Sequence, residues 1–392
     1  MGPLEVVLSL LLQAEEVVDV PGEKLKIPLV RVPVEGTSIR PYAIAKYETT
    51  WKDFNQFYQE DSLEKRIVDG ITRPSTGKSY FGQVQTPDVL LEEKRPAINM
   101  TWHIGMAYCD YLTAKTGQKF RLPTDAEWEH AARAGEKGAG PAKLDEAAWH
   151  QGNSGERTAL PGKSKPNAWG LHDMLGNVWE LVLEPAEPGR YLPVYRGGAW
   201  NVPAAETSYA LRKTLPPSWF DADPNRPRSV WWLTNDFSQG FRVARVGDAE
   251  AVKASTAYAP KVEVKIAGNA PRKVVHPKAE GEKKPREDVY RAATVEVRNG
   301  GDRAIEELEL WVYFLTPKGE PHLLEKEGGN KPNRPNYSWA HLVMAGGAHA
   351  ATAKALGPGE TRTLDVDVPE TYDDPAFVNP RALGAQVRWI RF

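Results

Sequence analysis

The sequence predicts an α+β protein of two domains, an irregular first domain with a few short helices followed by an all-β, immunoglobulin-like sandwich. Three observations carry that reading. At 392 residues the chain exceeds one average domain. Before Gly247 it is punctuated by Gly, Pro, Asn and Trp, and the whole chain holds 33 Gly, 32 Pro and 13 Trp, a composition of loops rather than of helix bundles. Beyond Ala259 the residues alternate polar and apolar with a period of two, the pattern of half-buried strands.

The elements follow in chain order. Met1 to Ala14 contains an apolar run, Val6 to Leu12, too short to span a bilayer and suited to the hydrophobic region of a signal peptide. No positive charge precedes the run and Glu5 stands beside it, so a short N-terminal helix is the alternative; export is the expectation. Leu25 to Val34 alternates and carries Pro28 and Pro33, which predicts an edge strand, because proline cannot donate to a ladder. Trp51, Phe54, Phe57 and Tyr58 recur at helical spacing behind the capping candidates Thr49 and Thr50. Ile104 to Lys115 repeats the pattern and Gly117 stops it. Pro123-Thr124-Asp125 opens a third helix through Trp128, Ala131 and Ala132, with Glu127 placed to reach back and complete a capping box. Val194 to Arg196 and Phe241 to Val243 read as short strands.

Residues 248–259 are small and polar and read as a linker. After them, Val262 to Ile266, Ala293 to Val297, Leu308 to Val312, Thr363 to Val368 and Ala385 to Trp389 alternate strictly, with turn residues at Asn299-Gly300-Gly301 and Pro317-Lys318-Gly319. This predicts an antiparallel sandwich over 260–392. Lys278 to Lys284 is a charged, solvated loop. The second domain shows nothing catalytic and reads as an interaction or spacer module.

Composition also excludes. A net charge of −2 offers no electrostatic case for nucleic acid. A single cysteine, Cys109, rules out an internal disulfide and any CxxC metal site, and its place on an apolar helix face reads as a buried small hydrophobe. His103, His130, His150 and His172 lack helical metal-ligand spacing.

Four segments occur together and in order: Tyr47-Glu48-Thr49-Thr50-Trp51; Phe120-Arg121-Leu122-Pro123-Thr124-Asp125-Ala126-Glu127-Trp128-Glu129; the run from Asn167 to Glu180 with Gly176-Asn177-Val178-Trp179-Glu180 at its end; and Arg196-Gly197-Gly198-Ala199-Trp200, closing at Gly240-Phe241-Arg242. As a set they resemble the formylglycine-generating enzyme (sulfatase-modifying factor) family over 18–247, whose fold is a variant of the C-type lectin fold. The resemblance implies an active site in which a Cys-x-x-x-x-Cys pair after the Gly-Gly-Ser-Trp-like motif binds copper(I). Aligned on Trp200, those two positions hold Val202 and Thr207. Copper(I) needs soft thiolate ligands, so copper-dependent formylglycine generation is not expected. Relatives that use histidine-bound iron imply an alternative, an oxidoreductase with other metal ligands; a second is an accessory factor for sulfatase maturation.

The resemblance also implies a structural calcium site, with Asp173 and Glu180 side chains and the Gly176 and Val178 carbonyls as ligands. Calcium takes hard oxygen donors of that kind. The competing reading is that the two carboxylates cap a turn through backbone N–H groups. An insertion-like segment, Leu215 to Trp232, gathers Trp219, Asp221, Trp231 and Trp232 near Arg212, Arg226 and Arg228. Aromatic faces rimmed by charge suit a carbohydrate or protein ligand; the competing reading is that these Trp pack the loop down. Together these features predict a catalytically silent, exported binding or scaffold module.

Overall fold

The computed structural model describes residues 15–58, 88–185, 193–214, 232–233, 236–276, 286–314, 337–343, 355–369 and 383–392. Its first sheet is built from β1 (Glu15–Asp19), β2 (Lys26–Arg31), β3 (Ala43–Ala45), β4 (Lys119–Arg121) and β11 (Ala244–Gly247), in the order β1-β2-β3-β11-β4. Pro28 therefore lies in the second strand and not at the edge. β1 pairs with it from Glu15 opposite Val30 to Asp19 opposite Lys26, and the Pro28 carbonyl still accepts from Lys46 N–H at 2.9 Å. The edge is β1, which follows directly on the segment expected to be a signal peptide; residues 1–14 lie outside the described residues.

The three expected helices form. Helix α1 (Trp51–Tyr58) opens at Thr50, whose hydroxyl accepts from Asp53 N–H at 3.3 Å and donates to the Asp53 carboxylate at 2.7 Å. Helix α2 (Trp102–Thr116) is capped by Thr101 and closed by Gly117 in the left-handed region. It is buried on every side from Trp102 to Cys109, as a helix threaded through a core must be. Helix α3 (Asp125–Arg133) carries the full capping box of Thr124 and Glu127 and ends in left-handed Ala134 ahead of Gly135. A one-turn helix, α4 (Leu144–Ala147), leads into β5 (Ala148–Trp149), which pairs in parallel with β6 (Leu175–Gly176). A four-stranded sheet of order β10-β7-β8-β9 completes the domain: β7 (Trp179–Pro185), β8 (Pro193–Arg196), β9 (Arg212–Thr214) and β10 (Gln239–Gly240).

Aromatic rings fill the space between the sheets and α1 and α2. Phe54, Phe57, Tyr108, Phe241 and Trp232 make tilted or edge-on contacts with centroids 5.5–6.0 Å apart. Such geometry adds to the area these large side chains bury. A second cluster gathers Trp128, Ala131 and Ala132 of α3 with Ile44, Leu175 and Val182.

The stretch read as a linker is a helix, α5 (Ala249–Tyr258), capped by Asp248 accepting from Ala251 N–H at 2.9 Å. Small and polar composition does not oppose helix: Ala, Glu and Lys are strong helix formers once a cap and a packing surface are supplied. The surface is the last strand, where Ile390 N–H donates to Ser255 at 2.8 Å.

Beyond α5 stand two three-stranded antiparallel sheets. One has the order β12-β13-β16 (Val262–His276, Arg286–Asn299, Thr361–Pro369) and the other β15-β14-β17 (Tyr337–Val343, Glu307–Phe314, Leu383–Arg391). Val295 and Val297 of the first sheet share one core with Leu308, Leu310, Val312 and Ile390 of the second. Each of the five alternating runs lies in one of these strands; β15 was not anticipated. The whole is a mixed α and β chain with several small sheets and few helices. No helix among the described residues is long and apolar enough to cross a membrane.

Candidate functional site

The turn between β6 and β7 organises the first domain. Gly176 takes φ +76°, and a Cβ there would overlap the Trp149 backbone, so only glycine lets β5 and β6 approach. Asp173 and Asn177 also adopt positive φ, 56° and 55°. Asn177 repays that strain through its side chain. It donates to Glu48 at 2.6 Å and accepts from Ala159 N–H at 2.7 Å, while its carbonyl accepts from Trp200 N–H at 2.9 Å.

Around this turn three buried carboxylates meet one guanidinium. Glu180 accepts from Arg242 Nε and Nη2, both at 2.6 Å, and from Trp128 Nε1 at 2.7 Å. Asp173 accepts from Gly162 N–H at 2.7 Å and the Ser164 hydroxyl at 2.6 Å. Glu48 adds Val178 N–H at 3.2 Å to its bond with Asn177. Arg242 also donates to the carbonyls of Ala45 and His172, each at 3.0 Å. Burial, with Asp173 and Glu180 adding negative charge, drives the Glu48 carboxyl well above the usual range against the pull of Arg242. Burial acts to lower the Arg242 guanidinium, but Glu180, Glu48 and Asp173 outweigh it and hold it above its ordinary value.

The Asp173 and Glu180 carboxylates, expected as calcium ligands, are both engaged by protein donors. Both Glu180 oxygens already face a cation, and both Asp173 oxygens accept protein donors within the turn. Among the described residues no group of three or more His, Cys, Asp or Glu is arranged to hold a metal. The histidines are dispersed: His130 meets the Pro33 carbonyl at 2.7 Å, His150 the Asp145 carboxylate at 2.7 Å, and His172 the Ser164 carbonyl at 2.8 Å.

Val202 and Thr207 lie on one short loop behind Trp200, and both are buried. Val202 N–H donates to the Ala199 carbonyl at 2.9 Å, and its own carbonyl accepts from Gln151. Thr207 donates its hydroxyl to the Pro203 carbonyl at 3.2 Å. The Val202 side chain joins the first domain's core, and the Thr207 hydroxyl braces the loop. Cys109 is fully buried in α2, and burial, with Asp110 nearby, pushes its thiol well above the usual range.

Of the residues expected to line an aromatic groove, Trp232 and Arg212 are among the described residues, and Trp232 does not line one. Trp232 is a fully buried core ring, 5.8 Å from Phe54 and 5.9 Å from Tyr58. An apolar indole next to an unfilled aromatic core gains more from burial than from lining a groove. Arg212 projects from β9 and pairs with Asp125 at 3.1 Å. Trp219, Asp221, Trp231, Arg226 and Arg228 lie outside the described residues. Beside the loop, the structure adds groups the sequence left unmarked. Lys213 sits over the Trp179 ring at 5.2 Å, its ammonium lowered by burial against the opposing charge of Asp236. Burial raises Asp236 in turn, and it accepts from the Ser238 hydroxyl at 2.6 Å. Trp200 Nε1 donates to the Phe237 carbonyl at 3.2 Å, tying the two segments together. No motif marks Lys213 or Asp236, because only the fold brings their charges within each other's influence.

Comparison with known proteins agrees with the motifs. The Sulfatase-modifying factor enzyme 1-like domain matches residues 10–245. Chaperone protein LppX of Paenibacillus barcinonensis is 28% identical over 237 residues, covering 43% of this chain and 79% of the relative. The inactive C-alpha-formylglycine-generating enzyme 2 of Mus musculus is 27% identical over 211 residues, covering 43% of this chain and 66% of the relative. Among solved structures, PvdO from Pseudomonas aeruginosa aligns at 23% identity with a TM-score of 0.43, covering 59% of this chain and 98% of its own. With the domain matched over more than half its length, this chain belongs to the Sulfatase-modifying factor enzyme 1-like family.

Proposed function

We propose that the chain is a non-catalytic member of its family, an exported binding or scaffold module. In this reading the first domain is a C-type-lectin-like variant and the second an immunoglobulin-like sandwich. The observation that carries it is the loop after Trp200, where the Val202 side chain is buried in the core and the Thr207 hydroxyl bonds the Pro203 carbonyl, at the positions the resemblance assigns to the family's thiol pair. Neither side chain offers the soft sulfur that copper(I) requires. Cys109 cannot substitute, since it is one thiol sealed in the core. Two relatives with names pointing away from formylglycine chemistry, one a chaperone protein and one an inactive enzyme, support the same reading. In this reading Arg242 supplies positive charge to the Glu180 carboxylate, one of the two side chains expected as calcium ligands. A ligand, carbohydrate or protein, would meet the partly exposed Trp200, Arg212 and Lys213 beside the loop.

The test is metal analysis of the purified full-length chain together with a formylglycine assay on a Cys-x-Pro-x-Arg peptide. The expected result is substoichiometric copper and iron and no aldehyde above a protein-free control. Copper or iron near one equivalent, or turnover of the peptide, would overturn the proposal and favour an oxidoreductase.

A further inference from the structure

The two domains meet through charge buried on both sides. Lys119 and Arg121, both in β4, are almost fully buried, and so are Glu307 and Glu309 of β14. Lys119 pairs with Glu309 at 2.7 Å and Arg121 with Glu307 at 3.0 Å. Arg391 approaches Glu307 at 3.7 Å and donates to the Pro41 carbonyl at 2.8 Å, and Arg40 meets Glu306 at 2.5 Å. Trp389 closes the contact against Gly247, where a Cβ would come within 2.7 Å of the indole. Alternating acids on one strand thus face alternating cations on another, with water excluded.

Arg121 has a second commitment. Its Nη1 and Nη2 bind Glu127 at 2.6 and 2.8 Å, and Glu127 is the residue that completes the α3 capping box. Asp125, in the first turn of the same helix, pairs with Arg196 at 3.4 Å and Arg212 at 3.1 Å. Arg196 begins the segment that runs through Val202 to Thr207, and it donates to the Tyr209 carbonyl at 2.8 Å. Two sets of buried ionic contacts, Glu307–Arg121–Glu127 and Asp125–Arg196, are therefore joined by the first turn of α3 and lead from the second domain to the loop at the candidate site.

We propose that the second domain is a fixed buttress of the first: Glu307, through Arg121 and the α3 cap, holds the Arg196–Thr207 segment in place. The β domain is then not a tethered accessory, and the two domains open as one unit. This inference does not depend on the absence of catalysis, and its test reads exchange and heat rather than activity.

Scanning calorimetry of the full chain should give one transition, with calorimetric and van't Hoff enthalpies in agreement. Two resolved transitions would overturn the proposal. Hydrogen exchange on the full chain then compares wild type with Glu307→Gln, which leaves Arg121 half-compensated in a buried site. Amides in 119–134 and 196–207 should exchange about tenfold faster or more, alongside those of 305–314. Acceleration confined to the second domain would sink the idea. Glu307→Asp keeps the charge with a shorter reach and should show the same ordering in milder form, which serves if the Gln variant does not fold. Glu263→Gln removes an exposed pair with Arg298 and is the control. Equal acceleration there would mean general softening and refute the specific route.

Discussion

Arg242 places one positive charge among three buried carboxylates, Glu48, Asp173 and Glu180, and its two bonds to Glu180 are both 2.6 Å. Removing one partner from such a pair leaves an uncompensated buried charge, so Arg242→Met should destabilise the chain by about 3–5 kcal/mol in urea unfolding. Arg242→Lys should recover little, because an ammonium cannot make the paired contact. If Arg242 does the work of a metal, millimolar calcium and excess chelator should give the same thermal midpoint; a rise with calcium would show that the ion binds. His103 supplies a pH signature. Burial lowers its pKa from 6.5 to about 4, so the folded state resists a proton that the unfolded chain accepts. The resulting stability is present above pH 6.5 and is lost as pH falls toward 4, by roughly 3 kcal/mol in all. His103→Gln should flatten that slope in denaturation curves taken across the window.

The helices were legible because their signals are local. Thr124 and Glu127 announce a capping box three residues apart, and the structure builds it. Thr124→Ala should cost about 1 kcal/mol, measurable as a shifted urea midpoint with unchanged slope. The five alternating runs of the second domain were legible for the same reason, since period two is visible without knowing the partner strand. Three things were hidden. β1 has no motif and forms because β2 offers a ladder. Helix α5 needed β17 to pack on, and residues 248–259 in isolation carry no strong apolar face. Trp232 was misread because proximity in sequence to an insertion says nothing about the aromatic cluster of Phe54 and Tyr58 waiting across the fold. The candidate site was half legible. Val202 and Thr207 could be placed by alignment on Trp200, whereas the commitment of Glu180 to Arg242 joins residues 62 apart in sequence and only the fold reveals it.

At the scale of the molecule, if the ionic ladder between β4 and β14 makes the two domains one mechanical body as proposed, a partner bound to the β domain would be presented at a fixed angle to the loop after Trp200. That geometry suits a scaffold, whose usefulness lies in holding two surfaces at constant separation. The buried state of Cys109 has a practical corollary. The chain contains one thiol, and it is fully enclosed in α2. A cysteine introduced at an exposed position such as Val17, which is 53% exposed, therefore faces no competing native thiol for a maleimide dye or spin label. Distances between two such labels, one on each domain, can be read by fluorescence transfer or electron resonance without first deleting the native residue.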